Sequence, residues 1–362
     1  VSLKNGIWKI KDRKKSFELF SNRIYDDNLD IFKNIILKVL KINDPSFELP
    51  KEERYAASIY GKILPYSNGF RDGLVSTLAL IGNKSNLLIN CPKQIVHEIV
   101  KGIFNNADSV LWGSLDGLLP SIAESSPDIF LKSIEHALSI TPCPFEQLFK
   151  EEDSSTFGRN YMTGLLWALE GIAWEEKYLI KVCVILAELA SYDPGGNWAN
   201  RPINSLKDIF LPWLPHTLAS LEKRKVALKT IVQEEPTIAW NLLDSLLNSM
   251  HSSTTGTYKP KYREVVPTDW KKTVSNKEYW EQIDYNSMLL LELADSNILK
   301  LSKLADKINQ LSLNGFNKFI KKVSSKEILE LDDETKNSLW ISLEKTYIRN
   351  NRFSDATWAL KK

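Results

Sequence analysis

The chain has 362 residues, with 47 Lys and Arg against 45 Asp and Glu and a formal net charge of +2. Apolar residues at 43% and charged residues at 25% exclude wholesale disorder. No apolar run reaches the roughly 18–20 residues that span a bilayer, and three isolated cysteines, Cys91, Cys143 and Cys183, exclude a disulfide scaffold and a cysteine-cluster zinc site.

The chain holds 49 Leu, 14 Val and 15 Gly. Many Leu with few Val and Gly favour helix over strand, because Leu keeps its rotamer freedom in a helix and Val loses it. The first residue is Val and the last residues begin an apolar stretch, which reads as a segment of a longer protein. The opening lacks the apolar core of a signal peptide, so the expected compartment is the cytoplasm. Residues 1–25 are rich in Lys and Arg and read as a basic connecting segment.

From Leu29 the apolar spacing is that of helices. Leu29, Phe32, Ile36, Val39 and Leu40 share one face, and Asn43, Asp44 and Pro45 end it. Further helices are predicted over residues 51–60, 69–81 and from Pro92 on, where proline in the first turn costs no hydrogen bond. Two blocks then repeat each other at an offset of 109 residues. Leu119, Ile122, Pro127, Ile129, Leu131, Ile134 and Leu138 match Leu228, Ile231, Pro236, Ile238, Trp240, Leu243 and Leu247. Helix, short turn, Pro, helix is the unit of HEAT-like arrays. More helices are predicted over 158–174, 175–190, 279–294, 296–308, 316–323 and 334–349, with a short turn near Ile328, and no strand-period run is found. The expected fold is all-α: a HEAT-like α-solenoid of antiparallel helix pairs over residues 26–250, an irregular insertion at 251–275 and further repeats over 276–362.

Long irregular segments in such folds carry function. The segment around Gly195 and Gly196, with Trp198, Asn200 and Arg201, reads either as an anion-holding nest of backbone N–H groups or as a packed Ω-loop. It is neither a P-loop nor a dinucleotide fingerprint. In the 251–275 insertion, Tyr258, Lys259, Lys261, Tyr262, Arg263 and Trp270 interleave cations and rings. That pattern suits a protein partner and, less well, nucleic acid. The four histidines, His97, His136, His216 and His251, have no helical spacing to one another or to a cysteine, so no metal site is expected, and no nucleophile elbow is present. Of the 11 tryptophans, Trp112, Trp167, Trp174, Trp213, Trp240, Trp280 and Trp340 fall in or beside apolar helical patterns, and most of them are expected in the core. Trp8, Trp198, Trp270 and Trp358 are left as anchors for a partner.

The run from Asp193 to Pro202 (DPGGNWANRP), followed by Leu211 to Thr217 (LPWLPHT), and the closing Phe353 to Leu360 (FSDATWAL), resemble the α-helical repeat portion of very large bacterial antiphage-defence proteins. Some of those carry a sirtuin-like NADase or a STAND-class ATPase. The resemblance implies a non-catalytic sensor or scaffold. Its partner would be a protein such as a phage structural protein, or neighbouring domains of the parent chain, with the chemistry on another domain. It transfers no catalytic residue and implies no cofactor and no membrane partner here. The rival reading is a HEAT-like nucleic-acid enzyme such as a DNA glycosylase, which uses a basic groove with an exposed Trp–Asp pair.

Overall fold

The structure, a computed structural model, describes residues 2–4, 6–83, 91–152, 158–247, 253–254, 256–267, 270 and 274–352. The closing run 353–360, with Trp358, lies outside them, as do His251, Asp269, Lys271 and Lys272. The chain forms two compact units: unit 1 is Val1–Ser205 with Thr257–Trp270, and unit 2 is Leu206–Gly256 with Lys271–Lys362. The 251–275 insertion is therefore divided between them.

Among the described residues the fold is all-α apart from one small hairpin. Strands β1 (Ser2–Lys4) and β2 (Ile7–Lys9) pair antiparallel with Leu3 opposite Trp8. Three-residue strands are too short for alternation to be read from sequence, which is why no strand was expected. Unit 1 continues with α1 (Arg13–Phe20), α2 (Asp26–Leu40), α3 (Asn68–Asn83), α4 (Pro92–Phe104), α5 (Ser109–Ser114), α6 (Leu119–Ser125), α7 (Pro127–Leu138), α8 (Pro144–Lys150), α9 (Thr163–Ala173) and α10 (Leu179–Tyr192). The division between units falls inside α11 (Pro202–Ile209). Unit 2 holds α12 (Leu221–Glu234), α13 (Pro236–Leu246), α14 (Asn276–Ala294), α15 (Ile298–Asp306), α16 (Leu313–Val323), α17 (Lys326–Leu329) and α18 (Asp333–Arg352).

Most predicted helices are present within a few residues. Residues 51–60 differ: a tighter 3-10 turn spans Lys51–Ala56, opening on the four charged residues Lys51, Glu52, Glu53 and Arg54, and Gly61 beyond it is left-handed. Within 1–25, α1 is tied down: Phe17 is buried, and Arg13 reaches Asp72 at 2.6 Å and the Ser76 hydroxyl at 2.6 Å on α3. The two repeated blocks share local geometry. The residue joining α6 to α7 is Ser126 (φ −155°, ψ 79°), and the residue joining α12 to α13 is Glu235 (φ −134°, ψ 69°). Each is followed by proline at the first helical position, where no N–H is needed.

In unit 1, α6 packs on both α3 and α9. Backbones meet so closely that side chains are excluded. A Cβ at Gly164, which opens the second position of α9, would lie 1.7 Å from the Asp116 carbonyl oxygen. The Gly164 N–H donates to Asp116 Oδ1 at 2.6 Å. Burial pushes the Asp116 carboxyl above the ordinary aspartate value, against the pull of Gly164 and Arg159. Gly164→Ala forces α9 off this contact and is expected to cost about 2–3 kcal/mol, read as a lower midpoint in urea unfolding.

Unit 2 is centred on Arg224, which is fully buried. It donates to Glu278 Oε1 at 2.7 Å, to the Ala219 carbonyl at 2.9 Å and to Gln282 Oε1 at 3.1 Å. Gln282 in turn donates to the Phe210 carbonyl at 2.7 Å. A buried guanidinium is tolerated because its donors are met in this way.

Candidate functional site

The site is built on α9. Most of this helix is apolar, and Leu165, Leu166, Leu169 and Ile172 fill the core. Trp167, Glu170, Gly171 and, just past its end, Trp174 lie at i, i+3, i+4 and i+7, one stripe of a helix. All four meet Tyr258. The Trp167 and Tyr258 rings stack at 5.9 Å with planes 16° apart. Glu170 Oε2 accepts the Tyr258 N–H at 2.8 Å. Trp174 Nε1 donates to the Tyr258 carbonyl at 2.9 Å. Gly171 leaves room for the ring, since a Cβ there would stand 3.3 Å from Tyr258 Cδ1.

Three residues further on, Glu124 of α6 takes over. It is 3% exposed, and its carboxylate accepts the backbone N–H groups of Lys261 (2.9 Å), Tyr262 (2.6 Å) and Arg263 (3.0 Å). Three successive N–H groups on one carboxylate replace the secondary structure that this stretch lacks. The Tyr262 hydroxyl lies 2.7 Å from Ser76 Oγ. Arg263 is ion-paired with Glu175 and lies 5.6 Å from the Tyr178 ring. Residues 257–267 thus form a strap clamped within unit 1 by two helix-borne carboxylates, Glu124 and Glu170.

This arrangement sorts the residues expected at a partner surface. Lys259 and Lys261 are exposed. Lys259 Nζ stands 4.8 Å from the Trp270 ring and 5.4 Å from the Trp174 ring, and Lys261 Nζ stands 5.3 Å from the Tyr258 ring. Trp270 meets Trp174 edge to face at 4.8 Å. Tyr258, Lys259, Lys261 and Trp270 are therefore one surface with Trp167, which is 42% exposed. Tyr262 and Arg263 are withdrawn from it, because their polar groups point inward to Ser76 and Glu175.

The Gly195–Gly196 loop is a different construction, and the expectation for Arg201 is corrected. Arg201 is 4% exposed. It forks onto Glu152 and reaches Asp193 Oδ1 at 2.9 Å. Asp193 Oδ1 also accepts the Gly195 N–H at 2.8 Å. The cation and the Gly195 amide of the supposed nest are thus consumed by the chain's own carboxylates, which favours the Ω-loop reading, with residues 194–197 left exposed. Gly195 (φ 77°) and Gly196 (φ 142°) take up conformations closed to other residues. Asn200 donates to Thr163 Oγ1 at 3.2 Å, and Trp198 is half-buried.

The tryptophan assignment also changes. Trp112, Trp174 and Trp240 are buried as expected, whereas Trp167, Trp213, Trp280 and Trp340 are 37–58% exposed. Their place in or beside apolar helical stretches assigned them inward, but a helix has two faces, and Trp167, Trp280 and Trp340 lie on the outer one. The clamp residues Glu124 and Glu170 were missed as well. Each is the one acidic residue of an otherwise uncharged helix, and that was the available signal.

Among the described residues no group of three or more His, Cys, Asp or Glu is placed to hold a metal ion, and no helix is long and apolar enough to cross a membrane. Compared with protein-family models, curated proteins and solved structures, the chain matches none, so the clamped strap and its rings are the ground on which a function for it rests.

Proposed function

We propose that this chain is a non-catalytic recognition or scaffold module, built from HEAT-like antiparallel helix pairs, that docks a protein partner on the strap surface. The observation that carries this reading is a cluster of rings and cations, the exposed Trp167, Lys259 and Lys261 with the half-buried Tyr258 and Trp270, held in place by the buried Glu124 and the half-buried Glu170. Large aromatic side chains fixed before binding lose little entropy when a partner covers them. In the context of the resemblance, the partner is a phage protein and the effector domain lies elsewhere in a larger bacterial defence protein. The same turn geometry at Ser126 and Glu235 supports the repeat reading. Against nucleic acid stands the inward pairing of Arg263 with Glu175, which leaves Lys259 and Lys261 as the strap's cations on this surface, few for phosphate binding.

The test is capture from extracts of phage-infected bacteria by the immobilised chain, compared with a Trp167→Ser, Lys261→Glu variant that leaves the backbone clamp intact. A discrete protein retained by the native chain is expected to be lost by about thirtyfold, the effect of one or two hot-spot residues. Equal retention by both removes the strap from recognition. Capture abolished by nuclease assigns the surface to nucleic acid.

A further inference from the structure

Unit 1 also contains a polar cavity of about 610 Å³, remote in role from the strap. Its wall comes from the segment after α2, from the 3-10 turn at Lys51–Ala56 and the residues up to α3, from the first turns of α3, and from Arg159 ahead of α9. The volume is that of ordinary small-molecule sites. A smaller cavity of about 160 Å³ shares Ser46, Arg54 and Arg159 with it.

Its cations are Arg54, Lys62, Arg71 and Arg159, and its carboxylates are Asp44 and Asp72. Several of these charges are matched. Asp72 is held by Arg13 at 2.6 Å, Lys62 pairs with Glu48, and Arg54 pairs with Glu151 at 2.7 Å. Asp44 Oδ1 accepts the Ser46 N–H at 2.9 Å.

Arg71 is the exception. It is 5% exposed. Among the described residues its guanidinium makes one hydrogen bond, from Nη2 to the Ser114 carbonyl at 3.0 Å. Its Nε is buried with no partner, as is Nη1 of Arg54 on the same wall. Burial draws the Arg71 guanidinium below the ordinary arginine value, with Asp44 pulling the other way. Arg159, 55% exposed, makes a loose 3.7 Å approach to Asp116 and lies 5.0 Å from the Tyr161 ring. A buried guanidinium with no carboxylate in ion-pair contact and with its Nε–H unpartnered is costly in a closed core. It is accounted for when an anion fills the space beside it.

We propose that this cavity binds a small phosphate-bearing molecule of about mononucleotide size, with Arg71, Arg54 and Arg159 donating to the phosphate oxygens. Three guanidiniums from three separate segments suit the three acceptor oxygens of a phosphate better than the two coplanar oxygens of a carboxylate. The seryl hydroxyls of Ser58 and Ser67, also on the wall, supply further donors.

The experiment titrates the full chain with pyrophosphate and with AMP, using citrate and sodium chloride at matched ionic strength as controls, and follows heat of binding and thermal midpoint. Saturable binding of a phosphate probe and a raised midpoint are expected, with citrate binding at least about tenfold more weakly. Arg159→Ala alters a side chain that is 55% exposed, so it leaves the fold intact. It is expected to weaken binding by about tenfold, and Arg71→Met to abolish it. Without ligand, Arg71→Met is expected to raise the thermal midpoint, because it removes an unpaired buried charge. A fall instead shows that Arg71 serves structure through Ser114. That fall, citrate binding as tightly as pyrophosphate, no saturable binding of either phosphate probe, or binding unchanged in Arg159→Ala each overturns the proposal.

Discussion

Glu124→Ala is expected to release the strap. Three backbone N–H groups, those of Lys261, Tyr262 and Arg263, lose their acceptor at once. Each unsatisfied buried donor costs about 1–3 kcal/mol. Peeling the segment into water limits the loss, so a total of about 3–4 kcal/mol is expected. Glu124→Gln does not restore the clamp, because an amide presents one donor edge to a row of donors. The measurement is amide exchange at residues 261–263 together with limited proteolysis across 257–267. Fast exchange and early cleavage in the variant are expected, with α6 itself still protected. Exchange as slow as in the native chain refutes the clamp. Glu124→Ala leaves Tyr258 on Glu170 and Trp174, so it loosens the Lys261 end of the proposed docking surface without touching an exposed residue.

Arg201→Ala is expected to be the most damaging single change in the Ω-loop. It leaves Glu152 and Asp193, with side chains 9% and 8% exposed, as neighbouring buried carboxylates with no cation between them. Removing one side of a buried ionic group costs about 3–5 kcal/mol. Arg201→Lys recovers little, because a single ammonium cannot span the fork that Arg201 places on Glu152 and the separate bond to Asp193. Urea unfolding of the two variants checks this. A loss below about 1 kcal/mol for Arg201→Ala contradicts the burial of this group. The same substitution leaves Lys259 and Lys261 where they are, so it destabilises the chain without altering the chemistry of the strap surface.

Helices were legible because their signal is local. The periodic Leu and Ile of α4, α7, α9 and α10 name their own buried faces, and the prolines at 92, 127 and 236 mark first turns. The tertiary role of a helix's second face is not local. On α9 the core-facing stripe satisfied every expectation, whereas on the second stripe Trp167 and Trp174 were read as core and Glu170 and Gly171 were not interpreted. Its cover comes from Tyr258, 88 residues away from Glu170. Arg201 and Arg263 were read as free cations for the same reason. Sequence shows that a charge exists, and only the fold shows that Glu152 or Glu175 has already met it. The three guanidiniums of the cavity were invisible because they lie on separate segments with no motif spacing. The hairpin and the 3-10 turn were missed because each is too short to display a period.

The way the strap belongs to unit 1 has a bearing on how the molecule is made. Its acceptor at Glu124 is translated 137–139 residues before the amides that satisfy it, and residues 206–256 of the other unit emerge in between. A ribosome therefore delivers the first unit with its carboxylates still waiting in a largely apolar setting. Closing so long a loop adds little to the equilibrium cost but slows the final step. Unit 1 is thus expected to complete its strap contacts only once residue 270 has left the exit tunnel.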